Sequence, residues 1–189
     1  GVVKMLGEFV HEERPRINFV YSDGTRAIST NGSLLVEAKG KFKPNDNSET
    51  PFPLEKTDEV FRKAEQHAGR EFKLSTEDLF RAARLRIGME WEGGLQVVDL
   101  FVGNDGKLYA ETTDRAKDVA GYGRPTTDNY LGRLNAAQLE DLVRFARKMG
   151  DSEVSVRSGE YREGEVQNRF TVWRGRDWRA VKMRMLDEA

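Results

Sequence analysis

Three helical segments, each with a single apolar face, are set among short β-type segments, and this pattern constrains the fold more than any other feature of the chain. On a 100° wheel, Asp58–Ala68 gathers Val60, Phe61, Ala64 and Ala68 on one side, with Thr57 placed to cap it. Thr76–Ile87 gathers Leu79, Phe80, Ala83 and Ile87, behind Ser75 as cap and Asp78 as its capping-box partner. Ala136–Met149 gathers Leu139, Leu142, Val143 and Ala146, with Asn135 as cap, Gln138 at the third position and Gly150 as terminator. Helices of this kind need a flat apolar partner, and the intervening sequence supplies strands.

The expected strands are Lys4–Val10, Ile17–Tyr21, Thr25–Thr30 and Ser33–Ala38, then Leu95–Val102 and Lys107–Thr112, and finally Val154–Arg157, Arg169–Arg174 and Trp178–Met185. Turn signals fall at Ser22-Asp23-Gly24, Asn31-Gly32, Asn104-Asp105-Gly106, Ser158-Gly159 and Gly175-Arg176. Lys43–Pro53, polar and holding three prolines, reads as a loop or linker. From Glu71 onward the order is β-α-β-β-(β)-β-α-β-β-β, an α+β fold with helices packed on antiparallel sheets.

Composition narrows the chemistry. The 189 residues fit one domain, or one and a smaller one. Without Cys there are no disulfides, thiolate nucleophiles or Cys-based zinc sites, and two His cannot build a His-rich metal cage. No run approaches the roughly 18 apolar residues that a membrane span needs. No leader pattern opens the sequence, so a cytoplasmic protein is expected. The net charge of −1, from 31 basic and 32 acidic residues, argues against a wholly cationic surface but allows one basic face.

An internal repeat is visible. Phe19-Val20-Tyr21-Ser22-Asp23-Gly24 and Phe101-Val102-Gly103-Asn104-Asp105-Gly106 match at four of six positions, and a Thr follows each Gly by six residues, Thr30 and Thr112. Two hairpins with Asp-Gly turns would also give such a match. Over Leu79–Ala120 the order is helix, apolar strand, Asp-Gly turn, strand, then Thr112-Thr113-Asp114-Arg115. This resembles the half-domain of bacterial sliding clamps, the DNA polymerase III β-subunit family, whose motif is of the Ala-Thr-Asp-Gly-x-Arg type. The second copy lacks the Gly, whereas Ser29-Thr30-Asn31-Gly32 keeps the Gly and lacks the Asp. Leu134–Leu139 resembles the entry to the second helix of a clamp domain. Ala180–Leu186 resembles the closing strand, with Arg184 where the family carries Pro, and Pro51-Phe52-Pro53-Leu54 resembles the segment that follows a clamp domain.

The resemblance implies a partial, β-rich half-domain with linker and helix over 1–70 and a complete clamp-like domain over 71–189. The chain is too short for the family's three-domain subunit, so a shortened, diverged or phage-type relative is implied. It further implies a processivity factor that works as a homo-oligomer on duplex DNA, without cofactor or metal, and replication proteins bound through peptide motifs. Met183, Met185 and Leu186 would then contribute to a partner-peptide groove.

The helical wheels give a physical basis for DNA contact that does not depend on the family. Arg62 and Lys63, Arg81 and Arg84, and Arg144, Arg147 and Lys148 lie opposite the apolar faces or at their margins. Helices side by side on one sheet would merge them into a cationic surface that attracts phosphates without reading bases. Glu65, Glu77, Asp78, Glu140 and Asp141 are interspersed, so an ordinary solvated face is the competing reading. A clamp-fold interaction module that does not encircle DNA is the alternative function. Phe170, Trp173 and Trp178, beside Arg169, Arg174, Arg176 and Arg179, are read as core or interface packing ahead of base stacking. No nucleophile, base and orienting group can be assembled: His11-Glu12-Glu13 lacks a second His, and Gly121–Pro125 is neither a P-loop nor a dinucleotide fingerprint. The protein is therefore not expected to be an enzyme.

Overall fold

A computed structural model describes residues 1–85, 96–112, 115–118 and 128–183. Helix α1 (Val2–Leu6) is followed by strands β1 (Tyr21–Ser22), β2 (Arg26–Thr30) and β3 (Leu34–Lys39) and helix α2 (Leu54–His67). Strand β4 (Phe72–Ser75) runs directly into α3 (Thr76–Arg84). Strands β5 (Val97–Gly103), β6 (Leu108–Thr112), β7 (Arg115–Asp118) and β8 (Asp128–Asn135) lead to α4 (Ala136–Lys148), and β9 (Glu153–Glu163), β10 (Val166–Arg174) and β11 (Trp178–Met183) follow. The α+β architecture of helices on antiparallel sheets is the expected one.

The strands form two sheets, one of seven in the order β1-β2-β3-β11-β10-β9-β4 and one of four in the order β7-β6-β5-β8. The larger sheet is stitched across the expected boundary at residue 70 by β3 and β11, with Leu35 opposite Val181 and Val36 opposite Ala180. Period-two alternation divides its side chains between two cores. On one face Ala27, Leu34, Val36, Trp173, Trp178 and Ala180 join the apolar faces of α3 and α4 and the inward residues of the smaller sheet. On the other, Ile28, Leu35, Phe170, Val172 and Val181 are covered by Phe61 and Ala64 of α2, with Ile17 and Phe52. A fully buried side chain of this size stabilises by about 1.5–3 kcal/mol, so both faces of the sheet are firmly held.

Two of the three expected caps form. Ser75 Oγ accepts from the Asp78 amide at 3.0 Å, and Asn135 Oδ1 accepts from the Gln138 amide at 3.1 Å. The repeated hairpins share a turn: Asp23 Oδ1 accepts from Thr25 N and Asp105 Oδ1 from Lys107 N, each at 3.0 Å. The glycines that follow both adopt positive φ, +100° at Gly24 and +80° at Gly106.

Several boundaries differ from expectation. The segment expected as strand Lys4–Val10 begins as helix α1, because Leu6 and Phe9, three apart, are the buried pair. Such spacing suits a helical turn and not an alternating strand. Helix α2 starts at Leu54, so Thr57 lies inside it, and its hydroxyl donates to the Leu54 carbonyl at 2.9 Å. Ser158-Gly159 is not a turn. It lies within β9, and the chain reverses at Gly164. The last residues of the expected second helix, Ile87 among them, lie outside the described residues, as do Thr113, Asp114, Gly121–Pro125 and Arg184.

Candidate functional site

Helices α3 and α4 pack against one another over the larger core, through Leu79, Ala82 and Ala83 on one and Leu139, Leu142, Val143 and Ala146 on the other. Phe80 lies at the outer margin of α3, half-buried. Three guanidinium groups surround its ring: Arg147 at 4.5 Å from the centroid, Arg84 at 5.3 Å and Arg144 at 5.8 Å. Attraction to the ring quadrupole holds them there at about 0.5–1 kcal/mol for an exposed pair. One buried carboxylate, Glu140, is shared between Arg84 at 3.7 Å and Arg144 at 3.6 Å. Arg81 pairs with Asp78 within its own helix, and Lys148 is exposed in the last turn of α4. The last-turn cations also oppose the negative ends of the two helix dipoles. The cluster therefore gathers three cations around one ring, two of them sharing Glu140, and presents them to solvent.

Arg62 and Lys63 do not join this surface. Helix α2 covers the opposite face of the seven-stranded sheet, because Phe61 and Ala64 pack on Ile28, Phe170 and Val181 rather than on the α3–α4 core. Both cations are engaged there: Arg62 with Glu59 at 3.7 Å, and Lys63 with Glu59 at 3.4 Å and with Glu163. The expected three-helix layer is a pair, α3 and α4, with the short α1 beside α4.

The aromatic residues near the end are core. Phe170, Trp173 and Trp178 are buried, and the two indoles donate to Thr171 Oγ1 and to Asp151 Oδ2, each at 2.7 Å. They have no face to offer a base.

Met183 lines a cavity of about 300 Å³ between α2, the β2–β3 turn and β11. Leu35, Val60, Val181 and Met183 supply apolar wall, and Arg14 and Lys56 are its cations. Met185 and Leu186 lie outside the described residues. Pro53 lines the same cavity, while Phe52 is buried beneath it and stacks on Tyr21 at 5.1 Å between centroids. The lining comes from segments far apart in sequence, so no local periodicity marks it.

Among the charges that sequence reasoning passed over, two are almost fully buried, Glu37 and Lys182. Glu37 accepts from Arg26 Nη1 and from Arg179 Nε, each at 3.0 Å. Lys182 is only 1 % exposed, and its ammonium donates to Gln138 Oε1 at the start of α4. Burial pushes its pKa down to about 8. Its place on the face shared by Trp178 and Ala180 was the available signal. Among the described residues no group of three metal-ligating side chains occurs, and no helix is long and apolar enough to cross a membrane.

No protein-family model and no curated protein matches the sequence. Solved structures do match in fold. A putative DNA polymerase III β subunit from Eubacterium rectale aligns over 99% of this chain and 62% of its own, with TM-score 0.60 and 10% identity. The DNA polymerase sliding clamp from Bacillus subtilis aligns over the same shares, with TM-score 0.60 and 11% identity. The DNA polymerase III β subunit from Pseudomonas aeruginosa aligns over 98% of this chain and 64% of its own, with TM-score 0.56 and 12% identity. The chain thus spans less than two thirds of the length of each, and over that span it has the sliding-clamp fold.

Proposed function

We propose that this chain is a non-enzymatic, DNA-associated clamp-fold protein whose α3–α4 surface holds duplex DNA through phosphate contacts. The observation that supports this is the gathering of Arg84, Arg144 and Arg147 around Phe80, with Glu140 shared between Arg84 and Arg144. Guanidinium groups held on a rigid helix pair meet phosphate oxygens at little further cost in side-chain entropy. They release counterions from the duplex and read no base edges, which suits a protein that must slide.

Copies of the chain would join edge to edge. Strand β4 ends the larger sheet and β8 ends the smaller one, and an unpaired strand edge is a template for another strand. Processivity would follow from closure of such an assembly around the duplex.

The test is fluorescence anisotropy with two unrelated duplexes of equal length over a salt series. Equal affinity for both, falling steeply as salt rises, is the expected result. Absence of binding at low salt would overturn the proposal.

A second reading is favoured by the cavity at Met183, whose apolar walls and open mouth fit an inserted side chain of a partner peptide. On this reading the fold serves as a protein-interaction module, alone or together with DNA contact. Apolar binding there should change little with salt, in contrast to duplex binding.

A further inference from the structure

A smaller cavity, of about 160 Å³, lies where the β10–β11 turn meets the end of β3. Four of its seven lining residues are basic: Lys39 of β3, Arg174 of β10, Arg176 of the turn and Arg179 of β11. Glu37 is the one carboxylate in the lining. The strand register assembles the set. Arg174 stands opposite Arg179, and Arg179 opposite Glu37, in one row across β10, β11 and β3. Lys39 is two residues beyond Glu37 on the same face. The turn is tied down beside them, because Lys39 N donates to Asp177 O at 2.8 Å and Arg176 Nη2 to Gly150 O at 3.1 Å.

Like charges placed opposite one another repel, and carboxylates offset only part of this charge. Glu37 accepts from Arg26 and Arg179, Glu65 from Arg174 and Arg179, and Asp151 from Arg176. Four lining cations thus meet three carboxylate partners. Their donors are not used up. A guanidinium carries five N–H groups and an ammonium three. Among the described residues Arg174 donates only through Nη2, Arg176 only through Nε and Nη2, and the Lys39 ammonium to no group. The volume limits what these donors can take. Sites for whole small molecules run to about 300–1,000 Å³, so this cavity admits one compact group. Phosphate is compact, and its oxygens match the guanidinium fork.

We propose that Lys39, Arg174, Arg176 and Arg179 form a phosphate-binding site at the β10–β11 turn, filled by the phosphate group of a small molecule or of a duplex backbone. The site shares no residue with the α3–α4 cluster or with the Met183 cavity, so it holds or fails independently of both.

The test is calorimetric titration of the whole chain with inorganic phosphate, at an ionic strength held constant with sodium chloride. One saturable site is expected. Lys39→Gln/Arg174→Gln should weaken it about tenfold, since each substitution removes charge-assisted hydrogen bonds. Both side chains are exposed. Lys39→Glu breaks no side-chain contact of the fold and should abolish the binding. Arg144→Gln/Arg147→Gln should leave it unchanged. Duplex affinity of the first double variant separates the two sources. An unchanged value assigns the site to a small phosphorylated molecule, and a parallel fall assigns it to the duplex backbone. Absence of saturable phosphate binding would overturn the proposal. So would binding that ignores Lys39→Glu, or equal losses from the two double variants, which would mark a general charge effect.

Discussion

Arg147 of α4 lies over the ring of Phe80 of α3, with its guanidinium carbon 4.5 Å from the ring centroid. This contact does two things at once. It bridges the two helices, and it fixes a cation at the surface where phosphates are expected. Phe80→Leu keeps an apolar side chain but removes the quadrupole that three arginines share. Urea denaturation should show a loss of about 1 kcal/mol. Duplex affinity should fall as well, because the guanidinium groups lose their common support.

Lys182 gives a pH signature. Its folded pKa of about 8 lies below the ordinary 10.5 because burial disfavours the charged form. Below about pH 8 both folded and unfolded chains hold the proton, and folding bears the whole penalty, about 3 kcal/mol. Between about 8 and 10.5 the unfolded chain keeps a proton that the folded chain has released, so this contribution raises stability as pH rises. Lys182→Met should therefore raise the urea midpoint at pH 7 and flatten that rise. A variant less stable than the parent at pH 7 would show that the Gln138 hydrogen bond outweighs the desolvation.

Glu37 is 2 % exposed and is held between Arg26 and Arg179. Glu37→Gln keeps the shape and removes the charge both arginines face. Loss of one partner from a buried ion pair costs about 3 kcal/mol. Both arginines retain some solvent contact, so denaturation should report the lower side of that figure.

Ser29 is fully buried, and its hydroxyl oxygen has no hydrogen-bond partner among the described residues. It faces the larger core from β2, between Ala27 and the start of the β2–β3 turn. Ser29→Ala removes an unsatisfied polar group and opens almost no space. Thermal denaturation should show stability unchanged or raised by about 1 kcal/mol.

Much of this fold could be read from the sequence, for local reasons. The wheels of α3 and α4 and their Ser75 and Asn135 caps are short-range signals, and both helices form with those apolar faces buried. The Asp23 and Asp105 turns are equally local. What escaped is set by the partners that segments find. Thr57 looked like a cap, but the chain had already turned helical at Leu54. Gly159 looked like a turn, yet it is needed inside β9, where a Cβ would come within 2.4 Å of the His67 carbonyl oxygen. The side of the sheet on which α2 packs decides whether Arg62 and Lys63 belong with the other cations. A wheel gives the apolar face of a helix but not the sheet face that receives it. Arg14 and Lys56 share a groove only because β2, α2 and β11 meet.

The central claim is that duplex DNA is held by the α3–α4 surface and by no cation on α2. The slope of log affinity against log salt tests it most directly, since each phosphate contact contributes about 0.9. Arg144→Gln/Arg147→Gln should lower the slope by about 2 and weaken every duplex alike. Arg62→Gln/Lys63→Gln should leave slope and affinity unchanged. Equal losses from the two double variants, or an unaltered slope in the first, would contradict the account.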